Sequence, residues 1–463
     1  MLSHSLEELP VNARKSSFRN YHSTNIDKLE NEEHSPISVA ENSITTPVWF
    51  RIVGVVLTAV VNGFNNLSGA SLIYIPNTGH EKGMKSGVSG IVTGLSNSTA
   101  GLFIFIIPSL VIMSKKKEMI LCAMMCCVIT NALFAITFYA EPGIFEVLCI
   151  AIQFINGVGN AVIGTLAISM ACSAFPSNSG RVIGYCNISN GISRLYPTFI
   201  ATFFYNIGGY VASFMWVAVA QFCVVVAGVI FMRDYNKHVA EQKKDGINFK
   251  ILAKFVLHPH TLSVSTSICM CGALFGFATN TLGPHLRNRY GVHDNVINFY
   301  MSGYAIFLLI AFLIMTLSVE AGYGGLAVLA GGFLCIVVCI IWLLPSFIPF
   351  LDSEYSILVG LLLMGVQNGI IQLGMYLMYE KLAEIRQAFS MDQVKVVTAV
   401  LVIGVYDIGY FSGTLAFGGF IYQYGSFELS VILLLIISII FLLPLVYTLF
   451  KYGLLGHTYY SKQ

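Results

Sequence analysis

Apolar runs long enough to cross a membrane recur along most of this chain. We identify twelve between Val48 and Phe450, near residues 48–74, 88–113, 119–140, 145–172, 182–206, 210–232, 260–285, 294–318, 324–348, 355–380, 394–422 and 427–450. A bilayer core of about 30 Å is crossed by about 20 helical residues, so each run can span a membrane as a helix. The pattern predicts an all-α membrane protein with twelve transmembrane helices.

The polar segments divide these spans into two groups of six. The largest interior polar segment, Arg233–Leu257, follows the sixth span. We therefore predict two six-helix bundles, at 47–232 and 259–451, joined by a cytoplasmic linker at 233–258. Residues 1–46 are rich in Ser, Asn, Glu and Lys, which predicts a disordered N-terminal tail, and 452–463 form a C-terminal tail.

The distribution of basic residues predicts the orientation. Lys and Arg are concentrated in the N-terminal tail, in the Lys115–Lys117 cluster and in the linker. Cytoplasmic loops of membrane proteins carry an excess of these residues, so we expect both termini in the cytoplasm. This arrangement predicts an integral multi-pass membrane protein that is a monomer. Plasma membrane and intracellular vesicle membrane both remain open.

Composition excludes several classes of function. The chain is 56% hydrophobic and only 10% charged, whereas a soluble domain carries about 25% charged residues. No basic patch is larger than the Lys115–Lys117 cluster, so a nucleic-acid partner is not expected. No nucleotide-binding loop, metal-ligand cluster or nucleophile triad is present, so we expect neither an enzyme nor a cofactor.

Two charged residues lie well inside predicted spans, away from the span ends. Arg194 is in the middle of span five, and Asp407 is in span eleven, directly after Tyr406. An arginine at mid-bilayer costs about 2.5–3.5 kcal/mol even on insertion scales, so such residues face protein or a water-filled cavity. Arg194 can bind an anionic group, pair with Asp407, or be a structural residue held by nearby amides. Asp407 can carry a proton, pair with a cationic solute, or form a helix-packing hydrogen bond.

The two predicted halves also share a short motif. Phe203, Tyr205 and Gly208 near the end of span five match Phe420, Tyr422 and Gly425 near the end of span eleven. Under this alignment Asp407 corresponds to Asn190, which lies one helical turn before Arg194. Parallel repeats of this kind are typical of transporters built around a pseudo-two-fold axis along the membrane normal.

The twelve-span plan, the central linker and the region of spans four and five resemble the major facilitator superfamily. Within it, Ile152–Pro197 and Phe275–Val292 are most similar to the vesicular amine and polyamine transporter branch. The resemblance implies the major facilitator fold, in which spans one, four, seven and ten line a central cavity. It also implies a carrier of a small organic solute, an amine, a polyamine or another small metabolite.

Neutral amides concentrate in those spans. At the positions nearest to the acidic residues of amine carriers, the chain has Asn65, Asn187, Thr279 and Gln367 or Asn368. Gln153 and Asn156 lie on one helical face, from which their side chains can line the central cavity. We make the same prediction for the other amides of these spans. The candidate solute and coupling residues are Arg194, Asp407, Asn65, Gln153, Asn156, Asn187, Asn190, Gln367, Asn368, Gln372 and Tyr406.

From the resemblance and these residues we predict a proton-coupled secondary active transporter that works by alternating access. Its partners would be the solute, protons and the lipid bilayer. An uncoupled facilitator of a neutral or anionic solute is the first alternative. The second is a relative that has lost transport and acts as a sensor or structural partner in the membrane.

Overall fold

Helices account for nearly all of the residues that the structure, a computed structural model, describes. These are residue 71 and residues 74–84, 86–107, 116–174, 179–231, 249–318, 323–386 and 391–451. No residue in these ranges lies in a β-strand, and the all-α prediction is confirmed for them. The predicted N-terminal tail, nearly all of the first predicted span and Asn65 lie outside the described residues.

The helices have the following bounds in chain order. They are α1 (Tyr74–Glu81), α2 (Ser86–Phe103), α3 (Lys116–Thr137), α4 (Pro142–Ala174), α5 (Ser179–Phe231), α6 (Phe249–Val256), α7 (Pro259–Tyr290), α8 (Asp294–Ser318), α9 (Gly324–Phe347), α10 (Glu354–Arg386), α11 (Met391–Ser412), α12 (Tyr422–Tyr424) and α13 (Phe427–Lys451). A 3₁₀ turn at Pro349–Leu351 precedes α10, and a π-helix at Gly413–Ile421 continues α11.

Within the described ranges, nine helical segments are long and apolar enough to cross a membrane. The prediction of twelve spans stays a prediction. Helix α5 has 53 residues, which at 1.5 Å per residue is more than twice the thickness of a bilayer core. Its backbone leaves helical geometry at Gly208 and at Gly209, where φ is +63°. A glycine adopts this φ without steric cost, so two helices meet at the predicted boundary between spans five and six.

We divide the described helices at the predicted linker into a first group, α1–α5, and a second group, α7–α13, and each contains a buried apolar cluster. In the first group α3 and α5 meet at Phe134 and Phe214, whose ring centroids are 5.2 Å apart. In the second group α7 and α13 meet at Phe277 and Phe427, with centroids 5.4 Å apart, beside the buried Trp342 of α9. Deleting side chains of this size from a packed core typically costs about 3–5 kcal/mol.

The groups meet most extensively at two helix pairs, α5 with α8 and α2 with α11, while α2 also packs against the π-helix and α4 against α11. Glycine permits both contacts, because a Cβ atom on Gly191 of α5 would lie 3.3 Å from the Leu309 backbone of α8. A Cβ atom on Gly101 of α2 would lie 2.9 Å from the Gly404 carbonyl oxygen and 3.0 Å from the Asp407 Cβ of α11. These contacts bring Arg194 of α5 and Asp407 of α11 to the boundary between the groups.

Polar side chains join helix ends on the side predicted to lie away from the cytoplasm. Arg289 at the end of α7 forms ion pairs with Asp352 at 3.1 Å and with Glu428 of α13 at 2.8 Å. The Tyr290 hydroxyl donates to Asp352 at 2.8 Å. The hydrogen bonds from Tyr290 and Arg289 hold the pKa of the Asp352 carboxyl below its usual value. This network ties α7, α13 and the segment before α10 together.

Candidate functional site

Arg194 extends from α5 into the second helix group. Its guanidinium carbon lies 5.4 Å from the centroid of the Phe275 ring of α7. The guanidinium also shares a hydrogen bond with the Tyr406 hydroxyl of α11. A cation over an aromatic face is stabilised by about 2 kcal/mol when desolvated, so these neighbours offset part of the cost of burial. Arg194 therefore belongs to the first helix group, and its guanidinium contacts residues of the second group.

Four aromatic residues from three helices surround the guanidinium. Phe275 of α7 stacks on Tyr304 of α8, with centroids 4.9 Å apart and an angle of 17° between the ring planes. Its centroid is 5.6 Å from that of Tyr410 of α11. Tyr304, Tyr406 and Tyr410 all lie within electrostatic range of Arg194. We call Phe275, Tyr304, Tyr406 and Tyr410 the aromatic cluster.

Asn368 of α10 holds two of the tyrosine hydroxyls in position. Its Nδ2 donates to the Tyr304 hydroxyl at 2.8 Å and to the Tyr406 hydroxyl at 3.4 Å. Its Oδ1 accepts from the Cys271 thiol at 3.0 Å and from Gln372 Nε2 at 2.9 Å. Asn368 is fully buried, so the structure gives this predicted site residue, with Gln372, a role in orienting the cluster.

Gln367 points away from Asn368, toward α9. Its Nε2 donates to the Cys335 sulfur at 2.8 Å. The side-chain oxygen of Gln367 is buried and has no hydrogen-bond partner among the described residues. Gln367 is therefore adjacent to the network around Asn368, but its described hydrogen bond connects helices within the second group.

Asp407 lies on the neighbouring face of α11, against Gly101 of α2. Its carboxyl is within electrostatic range of Arg194 and of the Tyr410 hydroxyl. The two charges that the sequence singled out therefore interact across the boundary between the helix groups. A proton on Asp407 or an anion beside Arg194 would change this interaction directly.

No described hydrogen bond joins the amides predicted in the first half to Asn368. Gln153 and Asn156 are both buried on α4, and Asn187 is buried on α5. The Gln153 amide, Asn156 Nδ2 and Asn187 Nδ2 have no hydrogen-bond partner among the described residues, and Asn156 Oδ1 accepts from Thr130 at 3.4 Å. These groups have unused hydrogen-bonding capacity, which a polar ligand can satisfy. Asn190 is half-buried on α5, where its backbone carbonyl accepts from Ser193.

Sequence reasoning missed three residues of the aromatic cluster, Phe275, Tyr304 and Tyr410. Tyr410 lies one helical turn after Tyr406, and this spacing is the one signal that could have identified it. Phe275 and Tyr304 resemble many other aromatic residues in apolar helices. Thr279 of α7, singled out only as a neutral replacement, donates to the Tyr410 hydroxyl at 3.2 Å.

No group of three or more His, Cys, Asp or Glu residues in the described part of the chain has the geometry to hold a metal ion. The buried ionisable groups of the site are instead one guanidinium, one carboxyl, three phenols and the Cys271 thiol. Such groups can bind an organic solute and exchange a proton.

Membrane-length helices in two groups, with a buried arginine and aspartate between them, define a multi-pass membrane carrier. A family model described as the Major Facilitator Superfamily matches residues 55–392, and the chain belongs to this family. The predicted superfamily is confirmed, and with it an integral membrane protein that transports small solutes. Members of this family are generally not enzymes. The resemblance to the vesicular amine branch stays a prediction, and a search of curated proteins found no match for the chain.

Proposed function

We propose that this protein is a proton-coupled secondary active transporter of a small organic solute that works by alternating access. The observation that carries the proposal is the position of Arg194. It is supplied by α5 and contacts the aromatic cluster of α7, α8 and α11, with Asp407 within electrostatic range.

The division of this site between two helix groups supports alternating access. Rocking of one group against the other must change the contacts of Arg194 with Phe275 and Tyr406, because these residues belong to different groups. A solute bound there would lie at the boundary where such carriers hold their substrates. Binding and rocking are then linked through the same side chains.

Asp407 supports coupling to protons. A carboxyl group in a low-dielectric environment is least costly when it is protonated or close to a positive charge. In the structure, Arg194 supplies this positive charge to Asp407. Loss of the interaction with Arg194 would favour proton uptake by Asp407, so a movement of the helix groups can load and release a proton.

An amine or polyamine is the solute class that the resemblance implies. The specific observation that favours it is that the Asp407 carboxyl lies within electrostatic range of the Tyr410 hydroxyl. A carboxylate together with aromatic faces is an arrangement that binds ammonium groups. This candidate requires that Arg194 move away from the solute during binding.

Flux measurements with the purified full-length protein in liposomes test the proposal. We would measure uptake of spermidine, pyruvate and glucose, with and without a pH gradient, against protein-free liposomes. We expect one solute to accumulate only with the gradient, and Asp407→Asn to abolish this accumulation while exchange of the solute continues. Glu141→Gln, which removes an exposed carboxyl group, is the matched control.

Three outcomes would contradict the proposal. Undiminished gradient-driven accumulation by Asp407→Asn would show that proton coupling does not depend on this residue. Uptake that reaches equilibrium regardless of the gradient would indicate an uncoupled facilitator. Ligand binding without flux would indicate a sensor that has lost transport.

A further inference from the structure

The helix that carries Asp407 changes its hydrogen-bond pattern shortly after that residue. The backbone of Gly413–Ile421 is a π-helix, and α-helical geometry returns at Tyr422. At the end of the segment the Tyr422 N–H donates to the Phe417 carbonyl oxygen, which lies five residues back instead of four. Nine consecutive residues are a long run for a conformation that usually occupies a single turn and is frequent at functional sites.

The equivalent segment of the first helix group is α-helical. Under the repeat that aligns Asp407 with Asn190, residues 413–421 correspond to residues 196–204, which lie within α5. The backbone of α5 leaves helical geometry only later, at Gly208. Equivalent segments of the two halves therefore have different hydrogen-bond registers in the same structure. A segment that has two registers of similar energy can exchange between them when its surroundings change.

Side chains from two neighbouring helices donate to carbonyl groups of the π-helix. Asn280 Nδ2 of α7 donates to the Thr414 carbonyl oxygen at 3.2 Å, and Ser430 Oγ of α13 donates to the Phe417 carbonyl oxygen at 3.3 Å. A carbonyl oxygen has two lone pairs, so it can accept from a side chain in addition to the backbone. A change to the α register would reorient these carbonyl groups, so both side-chain bonds stabilise the π register.

Glycines on α2 and α7 let both helix groups approach the start of the π-helix. A Cβ atom on Gly90 of α2 would lie 3.0 Å from the Thr414 carbonyl oxygen and 3.1 Å from Asn280 Nδ2. A Cβ atom on Gly276 of α7 would lie 3.1 Å from the Thr414 nitrogen. Helix α2 belongs to the first group and α7 to the second, so the bond between Asn280 and Thr414 lies where the two groups meet. Movement of one group against the other must change the packing around this bond.

We propose that residues 413–421 form a two-state element that exchanges between π-helical and α-helical hydrogen bonding, and that Asn280 and Ser430 hold it in the π register. Removal of α2 from this segment weakens the packing of the π register and favours the α register. The exchange itself is a property of the second helix group. Only its place in a transport cycle rests on the proposed function.

The exchange changes the relative orientation of the two ends of this helix. A π-helix has more residues per turn than an α-helix, so conversion rotates the residues beyond the segment by roughly the 100° that one α-helical residue contributes. Tyr410, before the segment, is held by Thr279 of α7, which donates to its hydroxyl at 3.2 Å. The rotation is therefore expressed after the segment, at Tyr422–Tyr424. The element thereby links the aromatic cluster to helix ends on the side predicted to lie away from the cytoplasm.

Distances between two spin labels test the exchange in the purified full-length protein in nanodiscs. Nitroxides attached to ketone side chains introduced at Asn288 and Tyr424, both exposed, leave the native cysteines unlabelled. We expect one main distance in the wild type and a second distance in Asn280→Leu. The two should differ by about 8 Å, because a helix with its side chains is about 10–12 Å wide. Loss of the Asn280 hydrogen bond should raise the ratio of the second to the first distance about 3- to 10-fold.

Three further variants make the test specific. Asn280→Gln keeps an amide donor and should remain closer to the wild type than Asn280→Leu. Ser430→Ala removes the other side-chain donor, and we expect a shift of about 2- to 5-fold in the same direction. Ser263→Ala removes a hydrogen bond to a backbone carbonyl near the other end of α7 and should leave the distances unchanged. Labels at Asn288 and Tyr355, both exposed and outside the segment, should report one distance in every variant.

The outcomes separate this inference from the proposed function. An unchanged distance between positions 288 and 424 in folded Asn280→Leu and Ser430→Ala overturns the exchange. A second distance that also appears in Ser263→Ala, or between positions 288 and 355, overturns its assignment to residues 413–421. A second distance confined to Asn280→Leu and Ser430→Ala, in a protein without solute flux, supports the inference and contradicts transport. Proton-coupled flux with unchanged distances does the reverse.

Discussion

Arg194 is tolerated inside an apolar helix because its neighbours recover most of the cost of burial. Insertion of an arginine at mid-bilayer costs about 2.5–3.5 kcal/mol on the lowest scale. The cation–π contact with Phe275 can return about 2 kcal/mol, and the hydrogen bond with Tyr406 about 1.5–3 kcal/mol. These contacts exist only while the two helix groups are together, so the energy of Arg194 depends on the conformation of the carrier.

Asn368 provides the most direct test of how this site is built. In Asn368→Leu, the Tyr304 and Tyr406 hydroxyls lose a shared donor, and Cys271 and Gln372 lose their acceptor. Buried polar groups left without partners cost about 1–3 kcal/mol each, so we expect a clearly lower melting temperature of the purified protein.

The control for this variant is Asn288→Ala on α7, where the asparagine is exposed. We expect its melting temperature to stay within about 1 °C of the wild type, because exposed substitutions rarely exceed 0.5 kcal/mol. Equal melting temperatures of Asn368→Leu and the wild type would show that Asn368 does not support the cluster.

Charge is the property that made site residues visible in the sequence. Arg194 and Asp407 are conspicuous within apolar runs, and the structure places them within electrostatic range of each other. Tyr304 and Phe275 gave no signal, since the chain has 23 Tyr and 33 Phe residues, most of them typical of lipid-facing or core positions. Only the packing of α7 against α8 brings these two rings together.

At the scale of helices, the contact between α7 and α11 sets the position of the tyrosines. A Cβ atom on Gly272 of α7 would collide with the Tyr406 carbonyl oxygen and approach the Tyr410 nitrogen at 2.9 Å. The absence of a side chain at Gly272 therefore lets the two backbones meet. This close approach brings both tyrosine rings of α11 beside Phe275.

Gly272→Ala should separate α7 from α11, because neither backbone can yield without moving a whole helix. Overpacking of this kind costs about 1–3 kcal/mol, and we expect a lower melting temperature together with weaker binding of any solute held by Tyr406. The measurements are thermal unfolding and equilibrium binding of the same sample.

Gly164→Ala on α4 is the control. A Cβ atom there would meet no atom within 4 Å. Alanine is also the better helix former by about 1 kcal/mol, so stability should be unchanged or slightly higher. A wild-type melting temperature for Gly272→Ala would mean that the two helices are not in close contact in the native protein.

Helix boundaries were more predictable than helix geometry. The predicted spans five and six end at residue 206 and begin at residue 210, and the structure has non-helical backbone between them, at Gly208 and Gly209. Gly425, the repeat partner of Gly208, also ends a helix, α12. The π-helix after α11 was not predicted, because its hydrogen-bond pattern leaves no distinctive spacing of apolar residues. The Asn280 side chain of α7 donates a hydrogen bond to the Thr414 carbonyl oxygen at 3.2 Å. This bond satisfies one backbone carbonyl group of the π-helix.

The ion pair between Arg289 and Asp352 gives a prediction for acid stability. The native pKa of Asp352 is held below its value in the unfolded chain by Tyr290 and Arg289. Its stabilising contribution is therefore present above the unfolded-state pKa and is lost as the pH falls through the native pKa. The contribution is small because Asp352 is exposed to solvent.

Melting temperatures of the wild type and Asp352→Asn, measured from pH 3 to pH 8, test this prediction. We expect a small constant difference in favour of the wild type above about pH 5 and a shrinking difference below about pH 4. A difference that grows on acidification would mean that Asp352 is not stabilised by its partners in the ionised form.

At the scale of the whole molecule, the two most extensive contacts between the helix groups are equivalent under the predicted six-span repeat. Helix α5 packs against α8, and α2 packs against α11, so each pair combines the second helix of one half with the fifth of the other. Gly191 and Gly101 permit the two contacts. Gly191 lies one helical turn before Arg194, and a Cβ atom on Gly101 would lie 3.0 Å from the Asp407 Cβ. Opening the carrier on either side must loosen part of these contacts.

A reversible cross-link between α5 and α8 tests whether transport needs that movement. A Cβ atom on Gly191 would lie 3.3 Å from the Leu309 Cβ, close to the distance of about 3.5–4.5 Å that a disulfide requires. Oxidation of the Gly191→Cys, Leu309→Cys double variant should therefore stop solute flux in liposomes, and reduction should restore it. Each single variant treated with the same oxidant controls for the native cysteines and for the added side chain.

Because the bridge fixes only the separation of these helices, solute binding should persist in the oxidised protein while flux is lost. Undiminished flux with the bridge fully formed would mean that α5 and α8 move together, and that alternating access, if it occurs, takes place elsewhere in the bundle.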